Sequence, residues 1–415
     1  MLCRYWYCLA QKTSFASQTK QYHAAVANPS LIRDINQIRV LNLLKEHGVS
    51  SRAGVARALK LTRSTASSLV NELEGQGLVI ANGEQMLRQD TGRPAIAVQL
   101  NPEGAFFIGA HVGTGKLETV ILNLRGQVAS KAETGFSTSA DPPDVLEQLA
   151  DLVLTCIHKS GVDQTRIQGV GISVPATVDV GRLVNAPSLG WHDVEVGRAV
   201  STRLDLPVFL ENDANASALA QIHFASSTRV ANLLYLSLGS GVGAGIVIEG
   251  KIYRGAFGAA GEVGYARLCR AGLKDRKENV GTMEAFVGIP GLLTINRIKG
   301  GASTTFDELL AEFDRGFEGT IEAVQEWSFW LGRGLVTLYN ILNPESIVLG
   351  GEVSALLPVV LDDLRQTLRA ERIPGSDRVD LLLSPFGAED SLRGAASLPY
   401  DAFFSLAPTA RAADR

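Results

Sequence analysis

The chain has 415 residues, too many for one ordinary core, so two or three domains are expected. Hydrophobic residues make up 46% and charged residues 20%, and no uninterrupted apolar run approaches the roughly 18 residues a membrane span needs, which argues against a membrane role. The net charge of −4 hides an asymmetry: residues 1–100 carry 12 Lys and Arg against 6 Asp and Glu, and the remainder 27 against 37. A basic end on an acidic body is expected when one part meets phosphates and the other does not.

Residues 1–30 hold three basic residues, no acids and no organised periodicity, and read as a disordered tail. A secretory signal would need a continuous apolar segment after its basic start, whereas Cys8-Leu9-Ala10 runs straight into Gln11-Lys12. The acid-free composition leaves an organelle transit peptide open, as it does an over-extended start. Cys3, Cys8, Cys156 and Cys269 lack the density of a disulfide scaffold, which points to a reducing cytoplasm.

From Leu31 to His47, apolar residues at Leu31, Ile35, Ile38, Leu41 and Leu44 mark one face of a first helix. After a break at Gly48-Val49, Ser50 or Ser51 can cap a second helix that turns Val55 and Leu59 inward. Thr62 can cap a third, with Ala66, Leu69, Val70 and Leu73 inward and Arg63, Ser64, Thr65, Ser67, Ser68 and Asn71 outward. Short hydroxyls with an Arg and an Asn are mediocre choices for a merely solvated helix but suit close contact with phosphates and base edges. A strand beginning near Gly77-Leu78-Val79-Ile80 and another at Ala95–Leu100 enclose a polar stretch with Arg88 and Arg93, so residues 31–100 read as a winged helix-turn-helix with Arg93 placed for a minor groove.

Three strands follow at 106–112, 117–124 and from 127, then a helix near 143–159 and a strand at 167–174. A similar pattern restarts at Asn232, with strands at 233–238, 245–248 and 346–349. Two comparable α/β lobes over 101–400, the second from about residue 225, predict a cleft between them, and 401–415 reads as a tail. Gly239, Ser240, Gly241 and Gly243 form a turn open enough for backbone to approach a phosphate, although it is neither Gly-x-Gly-x-x-Gly nor a Walker A loop.

Two groups of motifs carry a resemblance. Ser51-Arg52-Ala53, Leu69-Val70-Asn71-Glu72-Leu73 and Gly92-Arg93-Pro94 lie in the basic end. The run from Leu238 through Gly261-Glu262-Val263-Gly264 lies in the body, with Glu211-Asn212-Asp213-Ala214-Asn215-Ala216, Ser173-Val174-Pro175 and Leu349-Gly350-Gly351. In these the chain resembles the ROK family (repressor, open reading frame, kinase), specifically its xylose- and N-acetylglucosamine-repressor type. The resemblance implies an actin-like, hexokinase-like (ribonuclease H-like) body over about 104–400. It also implies sugar-binding roles for Asn212, Asp213, Glu262 and Glu284, with Asp213 at the general-base position of the kinases.

The departures from that pattern separate sensor from enzyme. Active kinases open their first strand with an Asp-x-Gly-Gly-Thr type loop; here the stretch is His111-Val112-Gly113-Thr114, and an imidazole cannot replace a hard oxygen ligand for magnesium. Members that bind zinc use a His and three Cys; here Tyr265 follows Gly264, and residues 266–282 hold only Cys269. Neither zinc nor a nucleotide cofactor is therefore expected, and Tyr265 can offer its hydroxyl to the sugar. The expectation is a non-catalytic, sugar-responsive regulator, a homodimer or homotetramer, that binds a double-stranded operator and acts as a repressor, with activation left open. The competing readings are a sugar kinase with an accessory DNA-binding domain and a body that is only a dimerisation scaffold.

Overall fold

The computed structural model describes residues 29–87, 95–179, 182–225, 230–275, 278–374 and 379–405. The N-terminal unit runs α1 (Pro29–His47), β1 (Val49–Ser51), α2 (Arg52–Leu59), α3 (Arg63–Gly75), β2 (Val79–Leu87) and β3 (Ala95–Leu100). The Ser51 hydroxyl accepts from Gly54 N–H to cap α2, and that of Thr62 accepts from Thr65 N–H to cap α3. Each helix thus starts where a short side-chain oxygen satisfies an otherwise orphaned amide. Ser50 lies in β1, which pairs antiparallel with β3 and completes a three-stranded sheet of order β1-β3-β2. Val40, Leu41, Leu44, Val55, Ala66, Leu69, Val70 and Leu73 are buried beneath it.

The first lobe contains the meander β4 (Phe106–Gly113), β5 (Lys116–Asn123) and β6 (Val128–Gly135), then α4 (Pro142–Ser160) and β7 (Ile167–Val174). A small sheet of β8 (Thr177–Asp179), β9 (Arg182–Ala186) and β10 (Trp191–Val194) precedes α5 (Val196–Leu204) and β11 (Val208–Asn212). Helix α6 (Asp213–Phe224) leads to β12 (Leu233–Leu238), β13 (Val242–Ile248) and β14 (Lys251–Ile252). After these come α7 (Met283–Val287), α8 (Ile289–Ile298), α9 (Phe306–Asp314), α10 (Glu318–Leu342), β15 (Ser346–Gly350), α11 (Leu357–Glu371), β16 (Asp380–Leu383) and α12 (Asp390–Phe404).

The two large sheets share one topology. In order β11-β7-β4-β5-β6 and β14-β13-β12-β15-β16, each has a leading strand, β4 or β12, paired antiparallel to the next strand and parallel to a later one. This is the duplicated α/β body that the sequence pattern predicts.

Strand alternation explains how the pieces join. On β4, Phe106, Ile108, Ala110 and Val112 face the first-lobe core with α4, while Phe107 points to the opposite face. There it joins Tyr400 and Phe404 of α12 and the winged-helix core in one buried cluster. Helix α12 returns from the second lobe to lie on that sheet and against α6. Gly394 is needed at their crossing, because a Cβ there would collide with the Ala216 backbone. The helix continues through residue 404, past the tail boundary expected at 401, because Tyr400 and Phe404 are both buried.

Candidate functional site

The outward face of α3 is laid out as the apolar spacing requires. Arg63, Ser64, Thr65, Ser68 and Asn71 are exposed and Ser67 is partly so. Several of these groups are pre-positioned within the chain. Ser64 and Thr65 hydroxyls lie 3.0 and 2.8 Å from Thr62 Oγ1, and Ser68 donates to Glu72. Asn71 Oδ1 accepts from Arg52 Nη2 at 3.0 Å, and Arg52 is itself paired with Glu74 at 2.7 Å. Arg52 appeared in the sequence only as part of a motif, and no local pattern could show that it holds Asn71 from the neighbouring helix. Arg88 and Arg93 lie outside the described residues.

The second site begins where β11 becomes α6. Asn212 Oδ1 accepts from Ala214 and Asn215 N–H, and its Nδ2 donates to Ala176 O at 3.1 Å. Much of this amide's bonding capacity is therefore spent on capping the helix and fixing a neighbouring turn. Asp213, next along, stands at the positive end of α6. Burial pushes its pKa up to about 7; an Ala214 N–H bond opposes this, and the charges of Glu262 and Glu352 add to it. A carboxyl poised near neutrality can accept or donate a hydrogen bond to a hydroxyl.

Glu211, just before this pair, is buried and forms a two-pronged salt bridge with Arg254, whose Nε and Nη2 lie 2.9 and 2.5 Å from Oε2. Asn215 Nδ2 holds the other oxygen. This bridge ties the loop after β14 to the start of α6. Glu211 belongs to one motif and Arg254 to the run from Leu238 to Gly264, and only the fold makes them neighbours.

Glu262 lies close enough for its charge to act on Asp213, and Tyr265 follows at 48% exposure. Glu284 Oε2 accepts from Val242 N–H at 3.2 Å, placing it on the glycine-rich turn. That turn, with Gly239, Ser240 and Gly241, joins β12 to β13, and Gly243 sits one residue into β13 against Ala214 of α6. The structure thus brings Asp213, Glu262, Glu284 and the glycine turn close together. The loop 266–282 is closed by Asp275, which accepts from Asn279 and from Thr282.

His111 stands near the end of β4, its Nδ1 2.9 Å from Ser173 Oγ and 3.5 Å from Ser391 Oγ. Desolvation, the largest influence, lowers its pKa, while the Glu118 charge and the Ser173 bond oppose the shift. It joins β4, β7 and α12.

The far end of α6 reaches the winged helix. Lys45 of α1 lies 3.4 Å from His223 Nδ1 and over the rings of Tyr400 and Phe404, 4.5 and 4.7 Å from their centroids. Asn42 Nδ2 donates to Phe404 O at 2.9 Å. Burial, reinforced by the Lys45 charge, holds the His223 pKa at about 3, so its 3.6 Å approach to Asp401 is not an ion pair.

A winged helix joined in this way to a two-lobed, kinase-like cleft defines a sugar-responsive DNA-binding regulator of the repressor class. The ROK family model matches residues 107–402 and the MarR family model residues 33–85. The chain belongs to the ROK family. It is 29% identical to a xylose repressor of Caldicellulosiruptor bescii, over 83% of this chain and 89% of that one. With the xylose repressor of Bacillus subtilis strain 168, identity is 25% over 92% and 99%. A ROK family transcriptional regulator described as a homologue of the E. coli MLC protein has the same fold, at TM-score 0.75 and 24% identity over 91% of this chain and 98% of that one. A ROK family glucokinase from Streptomyces griseus, solved with glucose and AMPPNP, matches at TM-score 0.62 and 26% identity over 71% and 99%.

Proposed function

We propose that this protein is a non-catalytic repressor whose cleft binds a neutral aldose, of which xylose is the first to test, and whose operator affinity falls when the sugar is bound. The observation that carries the reading is α6. Asn212 and Asp213 stand at its N-terminus, and its C-terminal His223 meets Lys45 of the DNA-binding unit. Twelve residues make a rod of about 18 Å, short and stiff enough to move as a unit. A sugar that pairs with Asp213 and the acids across the cleft draws the lobes together and shifts α6 against α1. The change in operator affinity can equal only the difference in sugar affinity between the two arrangements. The names of the relatives support xylose as the sugar to test and repression as the activity.

Kinase chemistry is not proposed, because His111, held against Ser173, stands where the family resemblance puts a magnesium-linked carboxylate. Zinc is not proposed either, because Tyr265 replaces the family's His and Asp275 organises the loop that would carry the cysteines. A homodimer reading two operator half-sites follows from the two-fold symmetry such helices use. Isothermal titration of the full chain with an aldose panel tests the site. Binding of a neutral aldose, weakened by about 10- to 100-fold in Asp213→Asn, is the expected result; equal affinity in the two proteins would remove Asp213 from the site.

A further inference from the structure

At the glycine turn between β12 and β13, which the family resemblance makes a phosphate loop, two amides are already engaged by carboxylates of the chain. Ser240 N–H donates to Glu352 Oε1 at 2.9 Å, and Ser240 Oγ lies 3.4 Å from Oε2. Two residues on, Val242 N–H donates to Glu284. Gly239 packs so closely on Glu352 that a Cβ there would collide with the carboxylate. The side chain is aimed from behind. Gly351, at φ 98, backs onto Leu238 where a Cβ would meet backbone, and it accepts from Ser354 N–H and Oγ. Asp390 also holds Gly351 through its backbone. Glu352 is thus the first residue after the double-glycine corner that ends β15, seated on the turn that ends the neighbouring strand β12.

We propose that Glu352 is a resident anion that occupies the phosphate-receiving turn, so that the cleft admits a neutral sugar and rejects nucleotide polyphosphates. An incoming phosphate would have to displace a carboxylate from Ser240 N–H and would meet the negative charges of Glu352 and Glu284 at contact distance, where like charges repel most. An uncharged sugar hydroxyl meets no such opposition. This second barrier is independent of His111, which lies on the other lobe. The proposal rests on the sensor reading for its purpose, while its physical content concerns one turn and one side chain.

The test is equilibrium titration of the full-length protein with MgATP, in the parent and in Glu352→Gly and Glu352→Gln, with thermal melting and aldose binding measured on each. Glu352→Gly removes the side chain; Glu352→Gln keeps an oxygen for Ser240 N–H but removes the charge, and is the decisive variant should the glycine protein fail to fold. The expected result is at least about tenfold tighter ATP binding in Glu352→Gly than in the parent, with Glu352→Gln between them and aldose binding retained. ATP binding that is equal in the parent and in the folded variants, whether strong or absent, would overturn the proposal. Loss of aldose response in the parent would instead count against the sensor reading and leave the ATP comparison intact.

Discussion

Asp213 concentrates the chemistry of the cleft, and its ionisation makes a prediction that needs no ligand. Its folded pKa of about 7 stands above the roughly 3.9 of an unfolded aspartate. Below pH 4 both states hold the proton and the group is neutral in its effect. As pH rises towards 7 the unfolded chain releases its proton first, so stability from this group is lost across that window. Asp213→Asn does not titrate. It should be more stable than the parent at pH 8 by on the order of 1–2 kcal/mol, after allowance for solvent screening at a partly open site, and the gain should shrink towards pH 5. Urea unfolding at the two pH values checks this, and a gain that grows at lower pH would reverse the sign. The sequence placed Asp213, Glu262 and Glu284 because a motif carried them. It did not show that the Asn212 amide also caps α6 and bonds Ala176, and it gave no role to Glu211, Arg254 or Glu352. Their partners lie 43 and 112 residues away, beyond anything local spacing can report.

At the scale of elements, helices were read most faithfully where apolar spacing met a cap. Thr62 begins α3, and Ala66, Leu69, Val70 and Leu73 all point inward. Strand β1 escaped notice because three residues, Val-Ser-Ser, have no period; they become a strand only when β3 offers partners. The end of α12 was also missed, since Tyr400 and Phe404 are helical by virtue of the winged-helix surface they meet. The exposed face of α3 predicts that Arg63→Ala weakens operator binding by about 1–3 kcal/mol and leaves aldose affinity unchanged. Fluorescence anisotropy with a labelled operator reads the first and calorimetry the second. Unaltered operator binding would remove α3 from the groove.

Across the whole molecule, one buried cluster joins Val40, Leu44 and Leu73 of the winged helix to Phe107, Leu122, Tyr400 and Phe404 of the body. The DNA-binding unit is therefore packed on the first lobe, not strung from it. A second junction, Asp390 with Tyr235 at 2.7 Å and Gln221 at 2.7 Å, ties α12 and α6 to the second-lobe sheet. Burial raises the Asp390 pKa to about 6, while these bonds oppose the rise. Hydrogen bonds thus run from the second-lobe sheet through α6 and α12 to α1. The winged helix and the two lobes were legible from sequence, but the connection between them was not. The direct test is operator affinity of the full-length protein with and without a saturating aldose that binds the cleft. The account predicts a weakening of about 5- to 150-fold, with operator weakening sugar binding by the same factor; superimposable operator curves with and without the bound sugar would contradict it.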